Sequence, residues 1–159
     1  MRRRRRVRAP LALTLRRRVR AWAPSRRELT RWAQGALGSR AAGRELGVCV
    51  VGAPESARLN ARYRGRDCPT NVLSFAPPPP PAGAPAGELG ELVICARVLR
   101  AEARAQSKPL RAHWAHLVVH GALHLIGYDH ERPREARRME RREVRVLRRL
   151  GFANPYRER

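Results

Sequence analysis

One segment in the second half of the chain limits most strongly what the protein can fold into. LRAHWAHLVVHGALHLI, residues 110–126, follows Pro109 and places apolar residues on nearly every side of a helix. Such a helix has no polar face to turn toward water, so it has to be buried. The rest of the chain must therefore supply elements that surround it.

Shorter patterns predict these surrounding elements. LALTLRRRV alternates weakly, as an edge strand does, and the β-branched run ELGVCVVG predicts a buried strand. TNVLSFA and ELVICA predict two further strands. Together with the helical patterns, they indicate a small α/β (α+β) domain in which a mixed sheet of about four strands packs against helices.

The helical patterns have recognisable ends. Ser25, followed three residues later by Glu28, predicts a capping box, and that helix is expected to stop near Gly38. PESARLNARYRG begins with proline and ends with glycine, which is typical of a helix. Further helices are predicted over residues 97–107 and over PREARRMERREVRVLRRLG.

Length and low-complexity segments set the domain boundaries. The 159 residues suffice for one domain with a core of its own. We expect a basic tail at residues 1–8, a single domain at 9–156 and a short tail at 157–159. The proline-rich residues 77–87 cannot pair in a sheet and predict a surface loop insertion.

The charge of the chain suggests a polyanionic partner. Basic residues number 35 and acidic residues 13, for a net charge of +22, which favours nucleic acid or an anionic membrane surface. Every basic residue except Lys108 is arginine, so part of the excess reflects an arginine- and alanine-rich composition. In the last helix the arginines and glutamates are expected to form i, i+3 and i, i+4 pairs that solvate its face. Charge alone does not make that helix an RNA site.

Cysteine content and hydropathy indicate the compartment. Cys49, Cys68 and Cys95 are odd in number and widely spaced, which indicates reduced thiols in a cytoplasmic protein. We expect all three to be buried or inert. No run approaches the roughly 20 apolar residues of a membrane span, so no membrane partner is expected.

Three histidines near the end of the buried helix form the strongest functional motif. His120 and His124 are four residues apart and therefore share one helix face. Gly127 can end the helix in a left-handed turn that returns His130 toward them. The pattern H-x3-H-x5-H offers three nitrogen ligands and an open fourth position, which is typical of a catalytic metal site.

Other polar residues lie beside this motif. His116 is eight residues from His124, about 12 Å along a helix, so the two cannot share one ion. We expect His113 and His116 to pack the helix or to support the ligands. Asp129, beside His130, either orients a ligand, acts as a base or caps the turn.

The same histidine spacing occurs in the metzincin proteases, with one difference. Those proteases carry glutamate, their general base, directly after the first histidine, and this chain has Gly121 there. Peptide hydrolysis by the same route is therefore disfavoured, and the site needs another source of base and charge stabilisation.

Read at full length, HGALHLIGYDH resembles the signature of the YbeY family of bacterial endoribonucleases, also called rRNA maturation factors. The resemblance continues through LNARYRGRDCPTNVLSF, LGELVIC, HWAHLVVHG and the closing LGFANPY. It spans roughly residues 45–156 in order, while the basic N-terminus and the proline run depart from the pattern.

The resemblance implies a fold and an activity. It implies a zincin-like α/β fold and one zinc ion (Zn2+) held by His120, His124 and His130 in the C-terminal half. It also implies a single-strand-specific endoribonuclease that matures the 3′ end of 16S rRNA and serves ribosome quality control. RNA, ribosomal particles and ribosomal proteins are the implied partners. The family motif YRG puts an arginine important for activity at Arg64.

Two other functions stay open at this point. One is a non-catalytic ribosome assembly factor with a structural zinc, and the other is a metalloprotease-like hydrolase of peptides. The identity of the metal is also open, because three imidazoles accept nickel, copper or cobalt as well as zinc. The nucleophile is either water or the RNA 2′-hydroxyl.

Overall fold

A mixed four-stranded sheet with helices on both faces forms the framework of the protein. The computed structural model describes residues 9–85 and 87–157. In chain order the elements are β1 Ala12–Arg17, α1 Arg26–Leu37, a 3-10 turn Gly38–Ala41, β2 Glu45–Val51, α2 Ala53–Arg64, β3 Val72–Phe75, β4 Glu88–Cys95, α3 Ala96–Ala105, α4 Leu110–Leu125 and α5 Pro133–Arg149. The predicted tail at residues 1–8 lies outside the described residues, as do residue 86 of the proline-rich loop and residues 158–159.

The strand order of the sheet is β1-β2-β4-β3. β1 pairs with β2 and β2 with β4 in parallel, whereas β3 pairs with β4 in antiparallel orientation. β1 therefore lies at an edge, as its weak alternation predicts. The predicted α+β class with a mixed sheet of four strands is confirmed.

β4 begins three residues earlier than the ELVICA pattern indicates. Its register shifts against β2, because Glu45 faces Glu88 while Leu46 faces Gly90, which leaves Leu89 as an extra residue. Gly90 has a φ of 130°, and a Cβ there would lie 2.2 Å from the carbonyl oxygen of Phe75 in β3. Glycine is therefore required at this irregularity, where β3 and β4 approach closely.

Alternate residues of the central strands pack against opposite layers, as expected for strands buried on both faces. Val48 and Val50 of β2 join the main core with residues of α1, α4 and α5. Cys49 and Val51 belong to a smaller cluster that also contacts Leu59 of α2. The main core thus lies between the sheet and α4, and α4 is buried along most of its length, as its apolar pattern predicts.

Gly121 marks the closest approach of α4 to the sheet. A Cβ at this position would lie 2.8 Å from Cδ2 of Leu92 in β4 and 3.2 Å from Oγ of Ser74 in β3. The Ser74 hydroxyl donates a hydrogen bond to the carbonyl oxygen of Gly121 at 3.3 Å. The residue after His120 therefore faces the sheet and not solvent.

The capping box predicted for α1 is confirmed. Glu28 N–H donates to Oγ of Ser25 at 3.3 Å, and Ser25 N–H donates to Oε2 of Glu28 at 3.0 Å. Nε of Arg111 in α4 donates to the other carboxylate oxygen of Glu28 at 2.7 Å. Arg111, aided by the Ser25 bond, lowers the pKa of Glu28, so this carboxylate both caps α1 and ties it to α4.

The three cysteines are free thiols. Cys49 and Cys95 are buried in the sheet, whereas Cys68 is exposed, so for Cys68 only the second half of the expectation, an inert thiol, stays a prediction. Cys68 lies in the loop between α2 and β3, where charged neighbours keep the chain at the surface. None of the helices in the described part of the chain is long and apolar enough to span a bilayer.

Candidate metal centre

The end of α4 and the turn that follows it bring three histidines together. α4 ends at Leu125, and Gly127 adopts a φ of 97° while Tyr128 N–H donates back to Leu123 at 3.1 Å. This left-handed turn reverses the chain, as glycine at that place allows. His130 is thereby returned to the face of α4 that carries His120 and His124.

The ring nitrogens of the three histidines converge. Nε2 of His120 lies 3.1 Å from Nε2 of His124, which lies 3.0 Å from Nδ1 of His130. One nitrogen from each ring lies within 4.8 Å of the others. Ligands about 2.0–2.1 Å from a tetrahedral zinc ion would be about 3.4 Å apart, so the observed spacing suits one metal ion. No cysteine, aspartate or glutamate of the described residues joins the group, which leaves a fourth position open.

Glu143 is a residue of this site that the sequence interpretation missed. It lies on α5, it is 1% exposed, and one of its carboxylate oxygens accepts a hydrogen bond from Nδ1 of His120. The other oxygen accepts from Nε2 of His116 at 3.3 Å and from the hydroxyl of Tyr156. The prediction that the glutamates of the last helix solvate its face is therefore wrong for Glu143.

A signal for this residue exists in the sequence. Met139, Val146 and Leu147 are buried on α5, and position 143 stands at i+4 from the first and i−3 and i−4 from the others. Glu143 thus occupies the apolar stripe of an amphipathic helix. A carboxylate in such a stripe has to find buried donors, since burial of an unpaired charge is costly.

The contacts of Glu143 fix the state of His120. Burial raises the pKa of Glu143, but hydrogen bonds from His116, His120 and Tyr156 outweigh it, and the pKa is lowered to about 2. The ionised carboxylate can only accept, so Nδ1 of His120 carries the proton and Nε2 presents its lone pair to the other two histidines. A carboxylate behind a histidine in this way is the usual support of a metal ligand.

His124 is also held in the ligand form. Burial is the main cause that lowers its pKa, and the neighbouring His120 and His130 add to it, so that the pKa is about 4. At neutral pH the imidazole of His124 is neutral. A neutral imidazole is the form that binds a metal ion.

The other histidines support the helix and remain outside the group of three. His116 lies between Glu143 and the hydroxyl of Tyr156, each 3.3 Å from its Nε2. His113 is buried, and its Nε2 lies 2.7 Å from Oε2 of Glu102 in α3. Asp129 accepts a hydrogen bond from the backbone N–H of His130 at 2.7 Å. Of the three predicted roles, which were to orient a ligand, act as a base or cap the turn, this contact corresponds to the turn cap.

Arg64 is the last residue of α2, and Gly65 follows it in the left-handed conformation with a φ of 69°. It is exposed, residues 65–71 separate it from β3, and no hydrogen bond links it to the three histidines within the described ranges. Its neighbour Tyr63 packs edge-on against Phe75 at the end of β3, with ring centroids 4.8 Å apart. β3 therefore has the end of α2 on one face and, through Ser74, the helix turn of His120 on the other.

Comparison with known proteins identifies the family. The sequence model described as Endoribonuclease YbeY matches residues 17–151. A protein named Endoribonuclease YbeY from Alkalilimnicola ehrlichii is 54% identical over 141 residues, which cover 87% of this chain and 85% of that protein. One of the same name from Methylococcus capsulatus is 51% identical over 146 residues, covering 92% of this chain and 95% of the relative.

A solved structure agrees with the fold. The solution structure of TM1509 from Thermotoga maritima superposes with a TM-score of 0.52, covering 91% of this chain and 99% of that one at 22% identity. At this identity the likeness concerns the fold alone. The match to the family over most of the length, and the two relatives above half identity, are decisive: the chain belongs to the endoribonuclease YbeY family.

Proposed function

We propose that this protein is a zinc-dependent endoribonuclease that cleaves single-stranded RNA and matures the 3′ end of 16S rRNA. The observation that carries the proposal is the convergence of three histidine nitrogens, with an ionised buried carboxylate behind one of them. The names of the family and of its relatives supply the substrate class. A role in ribosome quality control, contacts with ribosomal proteins and a cytoplasmic location belong to the same proposal.

The donor set fits zinc. Three neutral imidazoles with an open fourth side are a usual catalytic zinc environment, and the Nδ1 contact of His120 with Glu143 is the support that such ligands normally have. When bound, the ion supplies Lewis acidity and positive charge to a phosphodiester. His120, His124 and His130 are the residues that would hold it.

The remaining roles fall to side chains of this chain. Glu143 keeps the proton on Nδ1 of His120, and His116 and Tyr156 hold Glu143 in place by donating to it. Arg64 is proposed to meet the negative charge that develops on phosphate oxygens during cleavage, for which a guanidinium fork is suited. The domain division, with a basic tail at 1–8 and a loop insertion at 77–87, is part of this proposal.

Hydrolysis of peptides by the metzincin route finds no support here. The position of the metzincin base is Gly121, and the Cβ of any other residue there would collide with Leu92 and Ser74 of the sheet. A glutamate therefore has no room to reach the histidines from that place. The assembly-factor alternative, with a metal that only stabilises the fold, is separated from the proposal by experiment.

The test combines metal analysis with RNA cleavage. Purified protein should contain about one zinc ion per chain, and cleavage of a single-stranded RNA should stop with chelator and return with zinc. His124→Ala should lose both the metal and cleavage while remaining folded by circular dichroism. His113→Gln, which removes a histidine outside the group of three, is the control that keeps the metal. A folded His124→Ala protein that cuts RNA at the wild-type rate would refute a catalytic metal.

A further inference from the structure

A groove lined by arginines adjoins the turn that carries His130. It has a volume of about 470 Å³, and α5 contributes five arginines to it: Arg134, Arg138, Arg141, Arg142 and Arg145. Tyr128, which lies two residues before His130, forms another part of the wall. Glu135 is the one acidic residue of the lining, so the groove holds five positive charges against one negative.

The arginines of this groove are not paired in the way that the sequence suggests. Within residues 9–85 and 87–157 none of the five forms an ion pair, although Glu135 and Glu140 lie on the same helix. Nε of Arg142 is buried and has no hydrogen-bond partner in that part of the chain. A buried donor without a partner is costly, and native proteins seldom leave one unless a ligand or water meets it.

The spacing of these arginines also destabilises α5 when no anion is bound. Arg134, Arg138 and Arg142 follow one another at intervals of four residues, which stacks like charges on one helix face. Such pairs destabilise a helix, and a polyanion in the groove would reverse the sign of the effect. Arg138 lies over the ring of Tyr128, 5.3 Å from its centroid, so a cation–π contact holds one of the arginines against the wall of the groove.

The groove and the candidate metal centre are joined by the turn after α4, because Tyr128 lines the groove and His130 follows two residues later. Because consecutive Cα atoms are about 3.8 Å apart, those of Tyr128 and His130 are within about 7.6 Å of each other. We expect a strand of RNA with one phosphate at the histidines to bring neighbouring phosphates to the groove, because Tyr128 forms part of its wall. Guanidinium forks bind phosphate oxygens in pairs, and an RNA backbone presents such a phosphate at every nucleotide. Acidic side chains on a folded partner present their oxygens less continuously.

We infer that the α5 groove is a phosphate-binding subsite that holds the backbone of single-stranded RNA on the His130 side of the cleavage site. The inference rests on the proposed function for the identity of the polyanion. Its arginines fix the position of the strand and touch no reacting atom. Their loss should consequently weaken binding far more than it slows the cleavage step.

The test uses paired charge variants of the full chain. Arg138→Gln/Arg142→Gln removes two charges from the groove, and Arg100→Gln/Arg104→Gln removes two at the same spacing from exposed positions of α3. Binding of a single-stranded RNA is measured over a range of salt concentrations, with circular dichroism and the unfolding midpoint as checks of the fold. Arg138→Lys/Arg142→Lys keeps the charge and covers the case that the glutamine variant is unstable.

The groove variant should bind RNA on the order of 100-fold more weakly at low salt, because two charged hydrogen-bonding groups are lost. The slope of log affinity against log salt should become shallower by about 1.4, since each single-strand contact contributes about 0.7. The α3 variant should keep the wild-type slope, and the lysine variant should keep the slope with intermediate affinity. The single-turnover rate at saturating enzyme should change far less than the affinity.

Three results are decisive. Equal affinities and slopes for the groove and α3 variants, with wild-type cleavage intact, would refute the groove and leave the proposed function standing. If RNA binding depends on the groove but the wild type cleaves no RNA, the proposed function is refuted and the groove stands. Binding of poly-glutamate is measured in parallel. If the groove variant loses poly-glutamate binding while its RNA affinity stays that of the wild type, the groove is assigned to an acidic protein partner and the inference is overturned.

Discussion

Glu143 of α5 accepts a hydrogen bond from Nδ1 of His120 of α4, across 23 residues of chain. This contact couples the packing of two helices to the state of a metal-ligand candidate. It orients the ring of His120, keeps its proton on the side away from the other histidines, and places a full negative charge behind it. The buried carboxylate is thus part of the site even though it faces away from the open position.

The first prediction concerns this carboxylate. Glu143→Gln keeps the shape of the side chain but removes the charge, so the affinity for zinc should fall about 10–100-fold, the scale of losing a support of this kind. Competition with a chromophoric chelator measures it. Glu140→Gln, an exposed position of the same helix, should leave the affinity unchanged. Identical affinities for the two variants would show that Glu143 serves packing alone.

The second prediction concerns Gly121. Gly121→Glu restores the sequence of the metzincin motif, but the new side chain would be driven against Leu92 and Ser74. A charge buried there without a partner should lower the free energy of unfolding by about 3–5 kcal/mol or more, and no peptidase activity should appear. Urea unfolding and a casein cleavage assay check both statements. Gly87→Glu, at an exposed glycine with no neighbour within 4 Å of its Cβ position, should cost little.

The third prediction is a dependence of stability on pH. The hydrogen bond from His113 is the main cause that lowers the pKa of Glu102 from its ordinary value of 4.5, and a bond from Asn71 acts in the same direction against burial. A carboxylate with a lowered pKa in the folded state stabilises the fold above the unfolded-state pKa. That stabilisation is lost as the pH falls through the folded-state value.

The free energy of unfolding of wild type and of Glu102→Gln measures this effect. Their difference should be constant above about pH 6, and it should shrink as the pH falls from 4.5 through the lowered pKa. Glu140→Gln provides the comparison, since the Glu140 side chain makes no hydrogen bond within the described residues. A difference for Glu102→Gln that persists unchanged into strong acid would show that the loss is one of shape and not of charge.

The sequence was sufficient for the local parts of this structure. The apolar pattern of α4, the capping box of α1 and the glycine after α4 act over a few residues, and each local preference agrees with the fold. The position of β4 between β2 and β3 could not be predicted, because strand order depends on packing between distant segments. The role of Glu143 could not be predicted for the same reason, because the partners of an acid in an apolar stripe depend on which helix packs against it.

The last prediction concerns Arg64, which is the part of the site that rests most on family resemblance. If its guanidinium stabilises charge only as the phosphodiester is cleaved, Arg64→Ala should lower the single-turnover rate at saturating enzyme by on the order of 10²-fold. Arg64→Lys keeps the charge and loses the fork, so a partial defect is expected. Zinc content should remain that of the wild type, because Arg64 is exposed at the end of α2 and is not one of the three converging residues.

Arg58→Ala is the matched control for this prediction, because Arg58 is also an exposed arginine of α2. It should keep the wild-type rate, which separates a specific role from a general loss of positive charge. A wild-type rate for Arg64→Ala at saturation, with only weaker binding, would make Arg64 a clamp for the substrate. Loss of zinc would instead tie it to the structure of the site. Either result would remove Arg64 from the cleavage step, and the three histidines with Glu143 would remain as the centre to be tested.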